Sequence, residues 1–383
     1  MASTPTPFHS EASLPERLQS WLGSRLFAGT VTLVAGREGV LDVQAVGYAD
    51  LAAGKPISRN SLFWIASVSK PITATALMIL VDEGKIGLDD PVESHLPEFA
   101  GQQVVEPDGS FRKPGHPIRI LEILSHTSGL PFSLKSEEPT FDLLPLREAV
   151  RGYAAAALQF EPGSDYRYSN AGINTAGRII EVVSGMPYEA FLEERLFAPL
   201  GMPDTTFTPN SEQAARLAKT YRPSASGGLE EIPISQVKYP VDGPGRYPFP
   251  GGGLFSTAND LGRFGTMLLN GGTLDGHRYL SEAALAEMTR RQTPPSLSQS
   301  YGLGWSVGEG VFHHGGAYQN DLWIDRKRGF AAVFLVQHAG DWGNGEGRDI
   351  LPAFRTEAAR LATGNEAADG SQTSVVSEGS TYR

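Results

Sequence analysis

The chain has 383 residues and a mass of 41.1 kDa, too much for one small domain and enough for two lobes sharing a site. Hydrophobic residues make up 40% and charged residues 20%, the composition of an ordinary globular protein and not of a disordered one. A net charge of −11 argues against a nucleic-acid partner, and the absence of cysteine removes disulfides, thiolate metal sites and a cysteine nucleophile.

Residues 1–10 are polar and carry neither a basic segment nor an apolar run, so the protein as written is expected in the cytoplasm. The alternative is export behind a leader that this sequence lacks. Ser13-Leu14-Pro15-Glu16 reads as a helix start: Ser13 caps, Glu16 completes a capping box, and Pro15 suits the first turn. Leu14, Leu18, Trp21, Leu22 and Leu26 follow at helical spacing. From Gly29 the period changes. Thr30–Val34 and Val40–Val43 are β-rich runs around Gly36-Arg37-Glu38-Gly39, a hairpin signal.

Residues 67–290 read mainly as helix and loop, with helices expected over Pro71–Glu83, Asn174–Ser184, Tyr188–Arg195, Ala258–Asn270 and Ser281–Arg290. Tyr221–Gly252, dense in Gly, Pro and Ser, reads as a long surface excursion near the mouth of a site. A second hairpin is expected from Leu322–Asp325 and Phe330–Val336 around Arg326–Gly329. Its last run is apolar throughout, as in a central strand covered on both faces. Arg348–Leu361 reads as a closing helix and 364–383 as a disordered tail. No apolar run reaches the roughly 18 residues of a transmembrane helix. The expected fold class is α+β: an antiparallel sheet built from both chain ends, flanked by terminal helices, with a mainly helical domain inserted. The expected domains are 1–66 and 291–363 as two parts of one α/β domain, 67–290 as the helical domain with active-site loops, and 364–383 as the tail.

Three segments carry residues able to do chemistry. In Ser67-Val68-Ser69-Lys70 the Ser67 and Lys70 side chains share one face of a first helical turn, where a desolvated lysine can lose its proton and activate a serine. In Tyr168-Ser169-Asn170 a tyrosine can shuttle a proton and an asparagine can meet a substrate carbonyl. In Phe312-His313-His314-Gly315-Gly316-Ala317 the glycines let backbone approach a substrate closely. The histidines form no close-spaced ligand set, so neither a metal nor a cofactor is expected. Gly304-Trp305-Ser306-Val307-Gly308 matches the G-x-S-x-G nucleophile elbow, but no helix follows it, so Ser306 reads as a strand residue.

Together these segments resemble the serine β-lactamase and penicillin-binding-protein superfamily. The likeness is strongest to the class C β-lactamase branch that includes family VIII carboxylesterases and D-aminopeptidases. It spans residues 12–362 and extends to Phe63–Pro71, Leu124–Pro131, Gly251–Thr257 and Tyr301–Trp305; Ser125–Pro131 reads as a structural corner and not as a catalytic element. The resemblance implies a β-lactamase/transpeptidase-like fold. It implies Ser67 as the acylated nucleophile, Lys70 and Tyr168 as shared base and acid, and Asn170 on the acyl side of the substrate. His314-Gly315-Gly316 would replace Lys-Thr-Gly on the active-site strand, and the Ser67 and Ala317 N–H groups would form the oxyanion hole. A register shifted by one would use His313 instead. Where the class C enzymes have lysine, this chain has histidine, mostly neutral near pH 7 and a poor anchor for a carboxylate. The expected function is therefore hydrolysis of small acyl esters through acyl-Ser67. A β-lactamase or D-amino-acid peptidase on the same site is the alternative, and a non-catalytic binding protein on this fold the reading from another class. The implied partner is a small-molecule ester, lactam or amide.

Overall fold

A computed structural model describes residues 13–225, 227–340, 342 and 346–364. The tail expected over 364–383 lies outside them except for Gly364. Helix α1 (Leu14–Gly23) opens with the expected capping box: the Ser13 N–H and hydroxyl both donate to the Glu16 carboxylate, at 2.8 and 2.9 Å. Strands β1 (Gly29–Gly36) and β2 (Gly39–Asp50) form the first hairpin, with β3 (Lys55–Pro56) beyond. The chain then leaves the sheet and returns with β4 (Ser306–Gly308), β5 (Val311–Gly315), β6 (Asp321–Asp325) and β7 (Phe330–Val336). The sheet has seven strands in the order β4-β5-β6-β7-β1-β2-β3, every neighbouring pair antiparallel. Pairing of β1 with β7, Val31 against Leu335 and Leu33 against Val333, joins the two chain ends at the middle of the sheet.

The two-residue period of a strand divides β7 between two cores. Ala331, Val333 and Leu335 face the inserted helices. Phe330, Ala332, Phe334 and Val336 face α1 and the closing helix α6 (Ile350–Thr363), where the Phe334 and Phe354 rings lie 5.5 Å apart. The inserted segment supplies α2 (Ser69–Asp82), α3 (Leu146–Ala155), α4 (Asn170–Ser184) and α5 (Ala258–Leu269). Helix α5 lies directly on the sheet. A β-carbon on its Gly262 would sit 2.7 Å from Leu33 Cδ2, so glycine sets that close approach.

Helix α3 escaped the sequence reading, which left that stretch as loop. The described residues of 221–252 are also held by more contacts than a surface excursion implies. Thr220–Pro223 pairs with Leu229–Ile232, and a buried ion pair, Arg246 Nε to Asp142 Oδ2 at 2.7 Å, ties the rest down. Among the described residues no helix is long and apolar enough to cross a membrane.

Candidate active site

Ser67 sits at a sharp corner. Phe63–Trp64 pairs with Phe255–Ser256, and the Ile65 N–H donates to the Leu254 carbonyl at 3.0 Å. Ala66 then takes φ +47°, a left-handed conformation costly for a residue with a β-carbon. The Ser69 hydroxyl secures the corner, donating to the Ala66 carbonyl at 2.7 Å and accepting the Leu254 N–H at 3.2 Å. Ser67 therefore lies in a short 3₁₀ turn, Ala66–Val68, two residues ahead of the first residue of α2, where the sequence reading had started the helix at Ser67 itself.

Lys70, in the first turn of α2, is fully buried. Its Nζ lies 2.7 Å from Asn170 Oδ1, 2.5 Å from the Gly251 carbonyl and 3.3 Å from Ser67 Oγ. Burial holds its amine well below the ordinary lysine value. A neutral amine has two protons and one lone pair. The two acceptors take the protons, which leaves the lone pair for the Ser67 hydroxyl. Asn170 is held as the first residue of α4, its N–H on the Phe132 carbonyl at 3.0 Å and the N-cap Ser169 beside it.

The Tyr168 ring lies under Lys70 Nζ at 4.6 Å, and its hydroxyl is 3.5 Å from His314 Nε2. The pleat of β5 sends the two histidines to opposite faces. His314 turns toward Lys70 and Tyr168. His313 stacks on Trp323 at 4.8 Å on the side of α1 and α6, with Arg355 over the same indole. The His313 and His314 registers are thus told apart: only His314 is brought to Ser67, Lys70, Tyr168 and Asn170. His314 is neutral, its pKa pushed down to about 3 by burial first and then by Lys70. The Gly315 carbonyl accepts from His314 Nδ1 at 2.7 Å, and Gly316 lies where a β-carbon would meet the Ile65 carbonyl at 2.6 Å. Ala317 and Ser67 line one small cavity, of about 10 Å³ on the measure in which a single water needs roughly 10–15 Å³. Trp64, Phe132 and Phe249 wall it, and Asn170 and Gln236 supply polar edges.

Ser306 lies on edge strand β4, paired with His313, outside this cavity. Among the described residues no cluster of three or more His, Asp or Glu could hold a metal.

The sequence reading missed Tyr301, whose hydroxyl reaches His314, His126, whose ring reaches Tyr301, and the pocket walls Phe132, Phe249 and Gln236. His126 lies in Leu124–Pro131 and Tyr301 in Tyr301–Trp305, and only the fold joins positions so far apart.

The Beta-lactamase family model matches residues 18–353. The chain belongs to the beta-lactamase family. Among its beta-lactamase-family relatives, Esterase EstB of Burkholderia gladioli is 31% identical, over 88% of this chain and 93% of its own. Protein Rv1367c of Mycobacterium tuberculosis is 34% identical, over 82% of this chain and 87% of its own. The solved structure of EstCE1, a hydrolase with promiscuous acyltransferase activity, superposes with a TM-score of 0.76 at 26% identity, covering 91% of this chain and 98% of that one. The fold is that of the beta-lactamase superfamily, and the protein is a hydrolase of it.

Proposed function

We propose that the protein is a carboxylesterase-type serine hydrolase that cleaves small uncharged acyl esters through an acyl-Ser67 intermediate. One observation carries the reading: the buried Lys70 Nζ lies 2.7 Å from Asn170 Oδ1, 2.5 Å from the Gly251 carbonyl and 3.3 Å from Ser67 Oγ, so that a neutral amine gives its two protons to the first two and keeps its lone pair for Ser67. In acylation the Ser67 proton passes to Lys70 as Oγ attacks the ester carbon. The oxyanion is held by the Ser67 and Ala317 N–H groups, which line the same cavity. Collapse breaks the bond to the leaving oxygen. That oxygen takes a proton from Tyr168, and Tyr168 is reprotonated by the Lys70 ammonium above its ring. Water, deprotonated by the same amine, then attacks the acyl carbon; the bond to Oγ breaks, the Lys70 ammonium returns its proton to Oγ, and the acid leaves.

The preference for uncharged esters rests on His314, buried and neutral where a carboxylate-binding relative needs a cation. The relative named an esterase supports the same class. The test incubates purified protein with p-nitrophenyl butyrate and with nitrocefin, each beside Ser67→Ala. Ester turnover that is lost in the mutant, with an acyl mass adduct trapped on Ser67, is the expected result. Retained turnover in Ser67→Ala overturns it, and faster nitrocefin than ester turnover moves the substrate class to β-lactams.

A further inference from the structure

The corner residue His126 is buried and holds φ +62°, an unfavourable conformation for a side chain of its size. Its Nδ1 is 3.1 Å from the backbone N–H of Ser169, between Tyr168 and Asn170. A backbone N–H only donates, so Nδ1 is bare and the proton of the neutral ring is on Nε2. That Nε2–H points at Tyr301 Oη, 3.2 Å away. Tyr301 Oη lies 2.9 Å from His314 Nε2. At the far end His314 Nδ1 is 2.7 Å from the Gly315 carbonyl, which only accepts, so His314 carries its proton on Nδ1 and Nε2 is bare. Two backbone groups thus fix every proton between them, and the Tyr301 hydroxyl donates to His314. Burial keeps both imidazoles neutral, as this ordering needs.

Two hydroxyls face one lone pair. Tyr301 holds it at 2.9 Å, and Tyr168 stands at 3.5 Å, too far for a strong bond. We infer that His126 and Tyr301 are positioning residues whose ordered relay keeps His314 Nε2 occupied, so that the Tyr168 proton goes to the leaving oxygen of the substrate and is not captured by His314. The inference rests on the acyl-Ser67 reading. Without the Tyr301 hydroxyl, Tyr168 closes on His314 and its proton is held away from the leaving group.

The consequence depends on the leaving group. A p-nitrophenolate departs without a proton, whereas an ethoxide needs one. The experiment compares kcat/KM for ethyl butyrate and p-nitrophenyl butyrate, which both report acylation. In Tyr301→Phe the ratio of ethyl to p-nitrophenyl ester is expected to fall at least fivefold. This ratio is independent of how much protein is folded. His126→Asn keeps an acceptor for Ser169, suits the left-handed backbone and has no donor reaching Tyr301. Added to Tyr301→Phe it should lower the ratio no further, because both act through one hydroxyl. An unchanged ratio in Tyr301→Phe overturns the proposal. Histidine ¹⁵N spectra of the wild type give a readout that needs no turnover: His126 is expected as the Nε2–H form and His314 as the Nδ1–H form, and the reverse of either overturns the relay. Loss of all activity only in Ser67→Ala, with the ratio unmoved in Tyr301→Phe, sinks the relay and leaves the esterase reading standing. Activity that survives Ser67→Ala sinks the esterase reading instead.

Discussion

Lys70 Nζ stands 3.3 Å from Ser67 Oγ, and it is buried; among the described residues its other partners are an amide oxygen and a peptide carbonyl, and none is a carboxylate. Neither acceptor brings a full negative charge, so neither offsets the cost of burying an ammonium. The geometry therefore favours the neutral amine, the form that can take a proton from serine.

The pH dependence of the rate follows from that. As pH falls through the depressed Lys70 pKa the lone pair is lost, so kcat/KM for an uncharged ester falls about tenfold per pH unit on the acid side. At higher pH it levels off well below 10.5, the ordinary lysine value. His314 stays neutral down to about 3, so His314→Gln should lower the rate without moving the limb. Lys70→Arg keeps a cation with no lone pair and should cost about 10²–10⁴ in rate. Stability carries the same signature. Between the depressed folded value and the ordinary 10.5 the unfolded chain binds a proton at Lys70 that the fold does not, so over that interval stability rises with pH by about 1.4 kcal/mol per unit from this residue. Lys70→Met removes that contribution. Urea unfolding at several pH values checks it, and an equal slope in wild type and mutant would show that the buried amine is charged.

The oxyanion position can be tested through a glycine that does no chemistry. A methyl group at Gly316 would come within 2.6 Å of the Ile65 carbonyl, a backbone atom on the strand that leads into Ser67. Gly316→Ala must push the turn before β6 away from that strand, carrying the Ala317 N–H with it. Loss of one such donor typically costs about 10²–10³ in kcat. The expected result is a fall in kcat of that order with a smaller change in KM, measured with p-nitrophenyl acetate.

The proposed acyl site gives a chain-length prediction. Phe132 is half-buried, and its ring lies 6.3 Å from that of Tyr168. The Asn170 N–H meets its backbone carbonyl and not its ring, so Phe132→Ala opens the cavity and leaves that anchor in place. Accommodating two more methylenes at about 0.8 kcal/mol each should raise kcat/KM for hexanoyl relative to butyryl esters about tenfold. A series of p-nitrophenyl esters measures it, and an unchanged chain-length profile would place the acyl group elsewhere.

The extent to which the sequence foretold this molecule tracks the range of the interactions involved. Local signals read correctly: the Ser13–Glu16 capping box, both hairpins and the unbroken apolar run of β7 are written in neighbouring residues. Ser67 with Lys70, and Tyr168 with Asn170, are likewise short spacings that the fold brings together. His314 and His313 could not be told apart in sequence, because the choice depends on which face of β5 meets α2. His126 was taken as part of a corner because nothing near it names Tyr301 as its partner. Helix α3 was lost to its flanking prolines and charged residues. Its apolar positions make sense once it is packed against α4 and the turn at Pro97–Phe99.

The buried Asp142–Arg246 pair gives the last prediction. Arg246 donates from Nε to Asp142 and from Nη1 to the Phe207 and Val241 carbonyls, at 2.9 and 2.6 Å. Asp142 also accepts the Lys238 N–H at 3.0 Å and the Thr140 hydroxyl at 2.8 Å. One ion pair therefore staples residues 140–142 to the segment that leads into Phe249 and the glycines of the cavity wall. Removing one charge leaves the other buried without its counter-ion. Arg246→Met should cost about 3–5 kcal/mol, and Asp142→Leu a similar amount. The double variant leaves no unpaired charge, so its loss should be smaller than the sum of the two by at least about 1 kcal/mol. Urea denaturation of the four proteins in the cycle measures the coupling. Strict additivity would mean that the pair does not act as a unit and that the carbonyl contacts of Arg246 alone hold the wall.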